Sequence, residues 1–273
     1  MVFYIIGLGL ADETDITYKG LQAVKSCEII YLEHYTSILG VQKEKLEEFY
    51  GKTITLADRE TCEETIDEIL KNCKANEDKN SAVLVVGDPF CATTHTDMFL
   101  RAVKIGLKVE VIHNASIMNA VACCGLQLYR FGETVTIPFF TENWRPYSFY
   151  EKIKKNRESN LHTLVLVDIK VKERTDENLF KNKKIYEPPR FMTCATAVEE
   201  LLEAEEKIGK GAYGKDTLCF GLSRVGSKEQ KVVASKMEDF VERIDMGPPL
   251  HSFVICAGEL HEIEQEMFEF YKF

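Results

Sequence analysis

The 273-residue sequence lacks a long hydrophobic run, since no segment approaches the roughly 20 apolar residues that a membrane-spanning helix needs. Its opening stretch, MVFYIIGLGLADETD, lacks the basic residues that begin a signal peptide, so we expect a first strand there. Basic residues are also outnumbered, with 34 Lys and Arg against 44 Asp and Glu and a net charge of -10. Because phosphate contacts need clustered basic side chains, this balance argues against nucleic acid as the main partner.

Familiar catalytic and metal-binding motifs are missing as well. The nine cysteines form no C-x-x-C pair, which disfavours a zinc ribbon or a thioredoxin-like centre, and we predict no metal site. Most of the cysteines lie in apolar segments, which favours buried free thiols in a reducing compartment. The sequence contains no nucleophile elbow, H-E-x-x-H motif or Walker A motif.

The sequence does contain an alternation of strands and helices over residues 1–112. Runs such as VFYIIG and SAVLVVG are apolar without alternation, as expected of parallel strands covered by helices on both faces. Ile66, Ile69 and Leu70 share one face of an amphipathic segment between two such runs. The pattern predicts an α/β domain with a mostly parallel sheet over residues 1–112.

Residues 113–273 predict a second α/β domain. NASIMNAVACCG and CATAVEELLEAEEKIG are predicted helices, and HTLVLVDIK, DTLCFGLSRVG and LHSFVICAG contain predicted strands. The last predicted helix, in LHEIEQEMFEFYKF, is expected to bury Ile263, Met267 and Phe270.

Three polar turns, GLGLAD, GDPFCATTH and HNASIMNAV, follow predicted strands of the first sheet. Turns at the carboxyl ends of parallel strands line the crevice where open α/β sheets bind ligands. Asp88 could accept hydrogen bonds from ribose hydroxyls or an amine, Thr93 or Thr94 could cap the next helix, and Ser116 offers a hydroxyl at a helix start. On the residues alone, an ordinary capped turn is an equally open interpretation of GDPFCATTH, whereas a simple tight turn is favoured for GLGLAD and ordinary N-capping is favoured for HNASIMNAV.

GLGLAD also raises an NAD-binding oxidoreductase as an alternative. The dinucleotide fingerprint G-x-G-x-x-G would need a third glycine where this sequence has Asp12, although Glu33 lies near the end of the second strand. A third class, a non-enzymatic interaction module, is also open on the residues alone.

Taken together, GLGLADETDIT, YLEHYTS, GDPFCATTH, HNASIMNAVACCGLQLYRFGET, DIKVKE and GPPLHS resemble the diphthine synthase family. KIYEPPR and the adjacent Cys123 and Cys124 resemble its eukaryotic branch. The resemblance covers essentially the whole chain. It implies an α/β, two-domain, tetrapyrrole-methylase-like fold, that of class III S-adenosylmethionine-dependent methyltransferases, with the cofactor in the cleft between the domains.

The resemblance also implies cofactor-contacting positions, several of which are hydrophobic or act through the backbone. These are Leu10, Asp88, Cys91, Ser116, Ile117, Val167, Val225 and His251. Cys91 is expected to contribute its main chain rather than a reactive thiol. No residue is assigned as catalytic, because the methyl donor carries the reactive group and the protein supplies alignment.

The implied substrate is elongation factor 2, in which one histidine carries an aminocarboxypropyl group. The family methylates the amine of this group repeatedly and, in the eukaryotic type, also esterifies its carboxylate, with S-adenosylhomocysteine as the second product. A cytoplasmic homodimer is implied as well. A tetrapyrrole methyltransferase of the same fold is the nearest alternative.

Overall fold

The computed structural model describes residues 1–33, 40–57, 66–76, 78–93, 95–171, 173, 178 and 186–273. These form two units, Met1–Met118 and Asn119–Phe273, whereas the sequence places the boundary after residue 112. Each unit has its own sheet and core. None of the helices within the described ranges is long and apolar enough to span a membrane.

The first unit alternates strands and helices in the predicted order. Its described elements are β1 (Phe3–Gly7), α1 (Tyr18–Ser26), β2 (Cys27–Glu33), α2 (Lys43–Tyr50), β3 (Thr55–Ala57), α3 (Ile66–Ala75), β4 (Asn80–Val85), α4 (His95–Lys104), β5 (Val109–Ile112) and the beginning of α5 (Ile117–Ala120). The predicted helix over TCEETIDEILKNCK is confirmed from Ile66 onward, and its earlier residues, including Cys62, lie outside the described ranges.

The strands of this unit form a sheet in the order β3-β2-β4-β1-β5, and every described pair is parallel. Side chains alternate between two cores. Ile6 of β1 packs with residues of α1 and α2, whereas Phe3 and Ile5 pack with residues of α3 and α4. The helices therefore cover both faces, which explains why these strands are apolar along their whole length.

Local signals set the ends of the helices. Thr17 caps α1, because its hydroxyl accepts a hydrogen bond from the backbone N–H of Gly20 at 3.0 Å. Gly51 ends α2 with a φ of +67°, a conformation that glycine adopts without the penalty other residues incur. The predicted inward face of α3 is confirmed, since Ile66, Ile69 and Leu70 are buried.

The second unit contains shorter strands and longer connections. After α5 its described elements are β6 (Val135–Ile137), α6 (Ser148–Glu158), β7 (Thr163–Val167), β8 (Ile169–Lys170), β9 (Arg190–Phe191), α7 (Cys194–Ile208), β10 (Leu218–Ser223), β11 (Lys231–Lys236), α8 (Asp239–Glu242), β12 (His251–Ile255) and α9 (Glu262–Phe270). Its main sheet has the order β11-β10-β12-β7-β6, with antiparallel pairs except for β6 and β7. The described core packs β6, β7, β10, β11 and β12 against α6, α7 and α8.

Two predicted elements of this unit differ in the structure. The helix expected over residues 114–125 is only the short α5, followed by a 3₁₀ turn at Val121–Cys124 that Gly125 ends with a φ of +88°. The strand expected over residues 162–170 breaks at Asp168, and β8 leaves the main sheet to pair with β9. The strand β11 was not predicted, because polar residues at both of its ends hide a short apolar centre.

The predicted inward face of the last helix is wrong. Ile263 and Phe270 are 59% and 75% exposed, and Met267 is only half-buried. The residues that α9 buries are Glu264 and Phe268. The reason is a polar contact, since Glu264 accepts hydrogen bonds from the backbone N–H of Gln127 and from His162, and this places its side of the helix inward.

Candidate functional site

The site in the first unit lies at the carboxyl edge of its parallel sheet. The strands β1 and β4 are neighbours at the centre of the sheet. The chain leaves β1 toward β2 on one side of this pair, and it leaves β4 toward β5 on the other side. Loops that leave neighbouring strands in opposite directions open a crevice between them, and this is the usual ligand position in open α/β sheets. The turns after β1, β4 and β5, which the sequence singles out, therefore meet where a ligand is expected.

Glycines bring the first two turns into direct contact. The backbone N–H of Gly87 donates to the carbonyl of Gly9 at 2.7 Å, and the N–H of Gly9 donates to the carbonyl of Gly87 at 3.2 Å. A Cβ atom on Gly7 would lie only 2.5 Å from the carbonyl oxygen of Gly87 and 2.9 Å from the Cβ of Asn114. Gly9 and Gly87 have φ values of +81° and +76°. Glycine is therefore required at position 7 because the backbone of another turn lies so close, and at positions 9 and 87 because φ is positive.

Asp88 ties the second turn to the third. One carboxylate oxygen accepts from the backbone N–H of Phe90 at 2.9 Å, and the other accepts from Nδ1 of His113 at 2.8 Å and from the N–H of Asn114 at 3.1 Å. Burial by itself raises the pKa of Asp88. The hydrogen bonds lower this pKa by more than burial raises it, so the pKa of Asp88 lies below its ordinary value. The carboxylate is thus ionised at neutral pH and engaged by protein donors.

Two residues of this site were missed by the sequence-based search. Asn114 donates from Nδ2 to the carbonyls of Gly7 and Asp15, both at 3.0 Å, and so joins the third turn to the first. The carboxylate of Asp15 accepts from the backbone N–H groups of Leu10 and Ala11 at 3.2 and 2.8 Å. Both residues stand inside the quoted motifs. The acceptors of Nδ2 of Asn114 are distant along the chain, so the sequence gives no signal for these contacts, whereas the partners of Asp15 are only four and five residues away.

The other predicted residues of this unit lie in the same turns. Leu10, Cys91 and Ile117 are half-buried, and Ser116 is buried with its Oγ accepting from the N–H of Met118 at 3.3 Å. The hydroxyl of Thr93 donates to the carbonyl of Pro89 at 2.7 Å instead of capping α4. Thr94, the other predicted cap, lies outside the described residues. The structure thus brings all five predicted positions of the first unit to one edge.

The remaining three predicted positions share one edge of the second unit's main sheet. Val167 ends β7, Val225 follows the end of β10, and His251 begins β12, which runs antiparallel to both strands. Val167 and Val225 are half-buried. Arg224 has a positive φ of +49°, which is rare outside glycine and often marks a functional loop.

His251 is a neutral residue that organises this edge. The backbone N–H of Cys194 donates to its Nδ1 at 3.2 Å, so Nε2 carries the proton and donates to the carbonyls of Gly247 and Pro248 at 3.0 and 3.2 Å. Burial lowers its pKa, although the two carbonyls act in the opposite direction. Because both ring nitrogens are engaged, the side chain is better suited to positioning the backbone than to transferring a proton.

The described residues contain no group of three His, Cys, Asp or Glu side chains arranged to hold a metal ion. A cavity of about 1020 Å³ lies at the other edge of the second sheet, where Leu218 begins β10 and Lys236 ends β11. None of the eight predicted positions lines it. The cavity and the candidate site are therefore separate features.

Comparison with known proteins identifies the enzyme class. Residues 2–241 match the family of tetrapyrrole (corrin/porphyrin) methylases. The chain is 53% identical to diphthine methyl ester synthase of Homo sapiens, with 97% of this chain and 93% of that protein covered. It is 52% identical to diphthine methyl ester synthase of Dictyostelium discoideum, with coverage of 100% and 98%.

A solved structure supports the same assignment. A crystal structure of diphthine synthase superimposes with a TM-score of 0.84 at 34% identity, covering 100% of this chain and 96% of that chain. The predicted fold class and the predicted methyltransferase class are both confirmed by these matches. The chain therefore belongs to the tetrapyrrole methylase family and, within it, to the diphthine methyl ester synthases.

Proposed function

We propose that this enzyme transfers methyl groups from S-adenosylmethionine to the aminocarboxypropyl group on a histidine of elongation factor 2. The amine is methylated repeatedly and the carboxylate is then esterified, which gives diphthine methyl ester and S-adenosylhomocysteine. The observation that carries the proposal is the convergence of three turns, after β1, β4 and β5, on one edge of the first sheet, supported by the names of the full-length relatives.

The residues of this edge fit an adenosyl cofactor. Gly7, Gly9 and Gly87 let the turns pack closely against one another, which brings the main-chain groups of these turns together at one edge of the sheet. Leu10 and Ile117 present half-buried apolar side chains beside it. We propose that both, together with Cys91 and Ser116 through their main chains, contact the cofactor.

Asp88 would act mainly by holding these turns in place. A carboxylate has about four acceptor positions, and three donors of the protein already use Asp88. One position is left for a ribose hydroxyl or an amine. In the second unit, Val167 and Val225 supply apolar contacts and His251 fixes the backbone around them. The inter-domain position of the cofactor stays a prediction.

The chain needs no reactive nucleophile for this chemistry. The methyl donor supplies an activated methyl group that an amine or a carboxylate can attack directly. Correct placement of two reactants contributes roughly 7–11 kcal/mol to such a reaction. An amine must lose its proton before each attack, whereas a carboxylate is ionised at neutral pH. Alignment of the two reactants is therefore the main task of the protein.

The decisive measurement is mass spectrometry of elongation factor 2 that carries the aminocarboxypropyl group, after incubation with the enzyme and S-adenosylmethionine. We expect mass gains of successive methyl groups up to four, with the last one removed by mild base because it is an ester. Transfer of label to a porphyrinoid and not to the factor would instead support a tetrapyrrole substrate. No transfer with intact cofactor binding would favour an interaction module.

A homodimer and a cytoplasmic location also belong to this proposal. Both follow from the resemblance, and the cysteines add support for a reducing compartment. All eight cysteines within the described residues are free, and most of them are buried. Sedimentation of the purified enzyme at several concentrations would test the dimer.

A further inference from the structure

Two carboxylates near the end of β7 accept hydrogen bonds from consecutive backbone N–H groups of the second unit. The backbone N–H of Phe139 donates to Asp168 at 3.0 Å, and the N–H of the next residue, Phe140, donates to Oε1 of Glu200 at 2.7 Å. Asp168 directly follows Val167, a predicted cofactor contact, and Glu200 lies on α7. Consecutive amides therefore fix two acidic side chains next to the candidate site.

Glu200 is the unusual member of this pair. Glu200 is only 8% exposed. Its second carboxylate oxygen, Oε2, is buried and has no hydrogen-bond partner among the described residues. A buried polar atom without a partner destabilises the folded state, and more so when it is charged. A ligand that supplies a donor or a positive charge would remove this cost.

The cations nearby are already matched to other carboxylates. Arg145 pairs with Glu203, and Arg190 pairs with Glu173 at 2.7 Å. Within the described ranges neither Asp168 nor Glu200 takes part in an ion pair. Asp168 is half-buried, whereas Oε2 of Glu200 is shielded from solvent. Among the described residues, therefore, no cation is paired with either carboxylate, and a positively charged ligand would supply one.

The electrostatics agree with an uncompensated pair. The pKa of Glu200 is raised to about 7, mainly by burial. The charges of Asp168 and Glu203 also raise this pKa, whereas the hydrogen bond from Phe140 and the charge of Arg145 lower it. A carboxyl group with a pKa near neutrality in such a position is typical of functional sites. A bound cation would favour the ionised form.

We propose that Asp168 and Glu200 form a binding site for an aliphatic ammonium group. The inference rests on the proposed function, which offers two sources of this group. One is the amino-acid end of the methyl donor, and the other is the amine of the substrate side chain. Both present N–H donors and a positive charge, and a pair of carboxylates with one unsatisfied oxygen is complementary to either source.

The test uses the full-length enzyme with the variants Glu200→Gln and Asp168→Asn at pH 8. Gln keeps an acceptor for the N–H of Phe140, so the local backbone is retained. Glu199→Gln is the matched control, because Glu199 is an exposed neighbour on the same helix and loses the same charge. Calorimetry measures the binding of S-adenosylhomocysteine and of methylthioadenosine, which lacks the amino-acid end, and steady-state kinetics give the KM for the protein substrate.

We expect both site variants to weaken the binding of one ammonium ligand by about tenfold or more, because a charge-assisted contact is lost. Weaker binding of S-adenosylhomocysteine with unchanged methylthioadenosine assigns the site to the methyl donor. A raised KM for the factor with unchanged nucleoside binding assigns it to the substrate amine. Either result supports the proposal.

The proposal is overturned if both affinities and the KM match those of Glu199→Gln. It is also overturned if methylthioadenosine binding weakens together with the rest, because the pair then only supports the fold. Failure of the proposed function is a separate result, since the unaltered enzyme would itself fail to bind S-adenosylhomocysteine or to methylate the factor.

Discussion

Asp88 shows how one side chain can hold a ligand site without being a reactive group. Two of its three hydrogen bonds join the turn after β4 to the turn after β5, and the paired Gly9 and Gly87 join the turn after β4 to the turn after β1. The ionised form is favoured, because the hydrogen bonds lower its pKa in spite of burial. Neutralising Asp88 should therefore loosen three turns together.

We predict that Asp88→Asn destabilises the enzyme by about 1–3 kcal/mol, because an amide group placed against the donors of His113 and Asn114 leaves buried groups unsatisfied. Displacement of the turns should also weaken S-adenosylhomocysteine binding by about tenfold, which corresponds to roughly 1.4 kcal/mol. Urea unfolding and calorimetry measure the two effects.

Asp97→Asn is the control, since Asp97 is an exposed residue whose pair with Arg101 at 2.7 Å should contribute little. The role assigned to Asp88 would be wrong if both variants kept the stability and affinity of the unaltered enzyme.

The sequence predicted the turns of this site but not the contacts inside it. A glycine, an aspartate and a proline after a buried strand mark a special turn, because each of these residues has a defined conformational use. Two of the three partners of Asp88 lie 25 and 26 residues away, and the acceptors of Nδ2 of Asn114 lie 107 and 99 residues away. Such contacts depend on strand order, which one sequence does not reveal.

At the scale of elements, α9 shows a polar contact that overrides a hydrophobic pattern. Glu264 is fully buried and accepts from the backbone N–H groups of Gln127 at 3.1 Å and His261 at 2.9 Å. It also accepts from Nε2 of His162 at 3.0 Å and from Arg130. The helix is therefore oriented by its glutamate, and Ile263 and Phe270 remain exposed.

We predict that Glu264→Ala lowers the free energy of unfolding by about 3–5 kcal/mol, because it leaves the Arg130 guanidinium without its buried carboxylate. The midpoint of urea unfolding measures this change. Glu266→Ala provides the control, because Glu266 is exposed on the same helix and should change stability by less than about 0.5 kcal/mol. Equal midpoints for the two variants would contradict this role of Glu264.

Elements of the first unit were easier to predict than those of the second for a physical reason. Parallel strands covered on both faces are apolar along their length, and β1 and β4 stand out for this reason. The strand β11 is antiparallel and begins and ends with an exposed lysine, so only its centre is apolar. The segment after residue 114 forms a 3₁₀ turn at Val121–Cys124, and a helical pattern does not distinguish such a turn from an α-helix.

At the scale of the whole molecule, buried ionisable groups set the response to acid. Hydrogen bonds lower the pKa values of Asp88, Glu205 and Glu264 in spite of burial, so the stability that these carboxylates provide is present above their ordinary pKa values and is lost as the pH falls through the lowered ones. Burial lowers the pKa values of His162 and His251, so the unfolded chain binds more protons below about pH 6.5. The three carboxylates and the two histidines therefore all lower the stability of the folded enzyme in acid.

Glu200 acts in the opposite direction. Its pKa is raised from 4.5 to about 7, mainly by burial, so the folded enzyme binds the extra proton between these values. The stability associated with protonated Glu200 is therefore fully present below about pH 4.5 and is lost as the pH rises through about 7. Since each pKa unit corresponds to about 1.4 kcal/mol, the ionised group costs the folded state about 3 kcal/mol at pH 8.

We therefore predict that Glu200→Gln is more stable than the unaltered enzyme by about 3 kcal/mol at pH 8, and that this difference disappears as the pH approaches 4.5. Urea unfolding at several pH values between 4.5 and 8, without ligand, measures the difference. Glu199→Gln should follow the unaltered enzyme throughout, because Glu199 is exposed. Parallel curves for Glu200→Gln and the unaltered enzyme would show that Glu200 has no uncompensated charge. A ligand that fills the ammonium site should reduce the difference at pH 8, because the bound cation stabilises ionised Glu200 only in the unaltered enzyme.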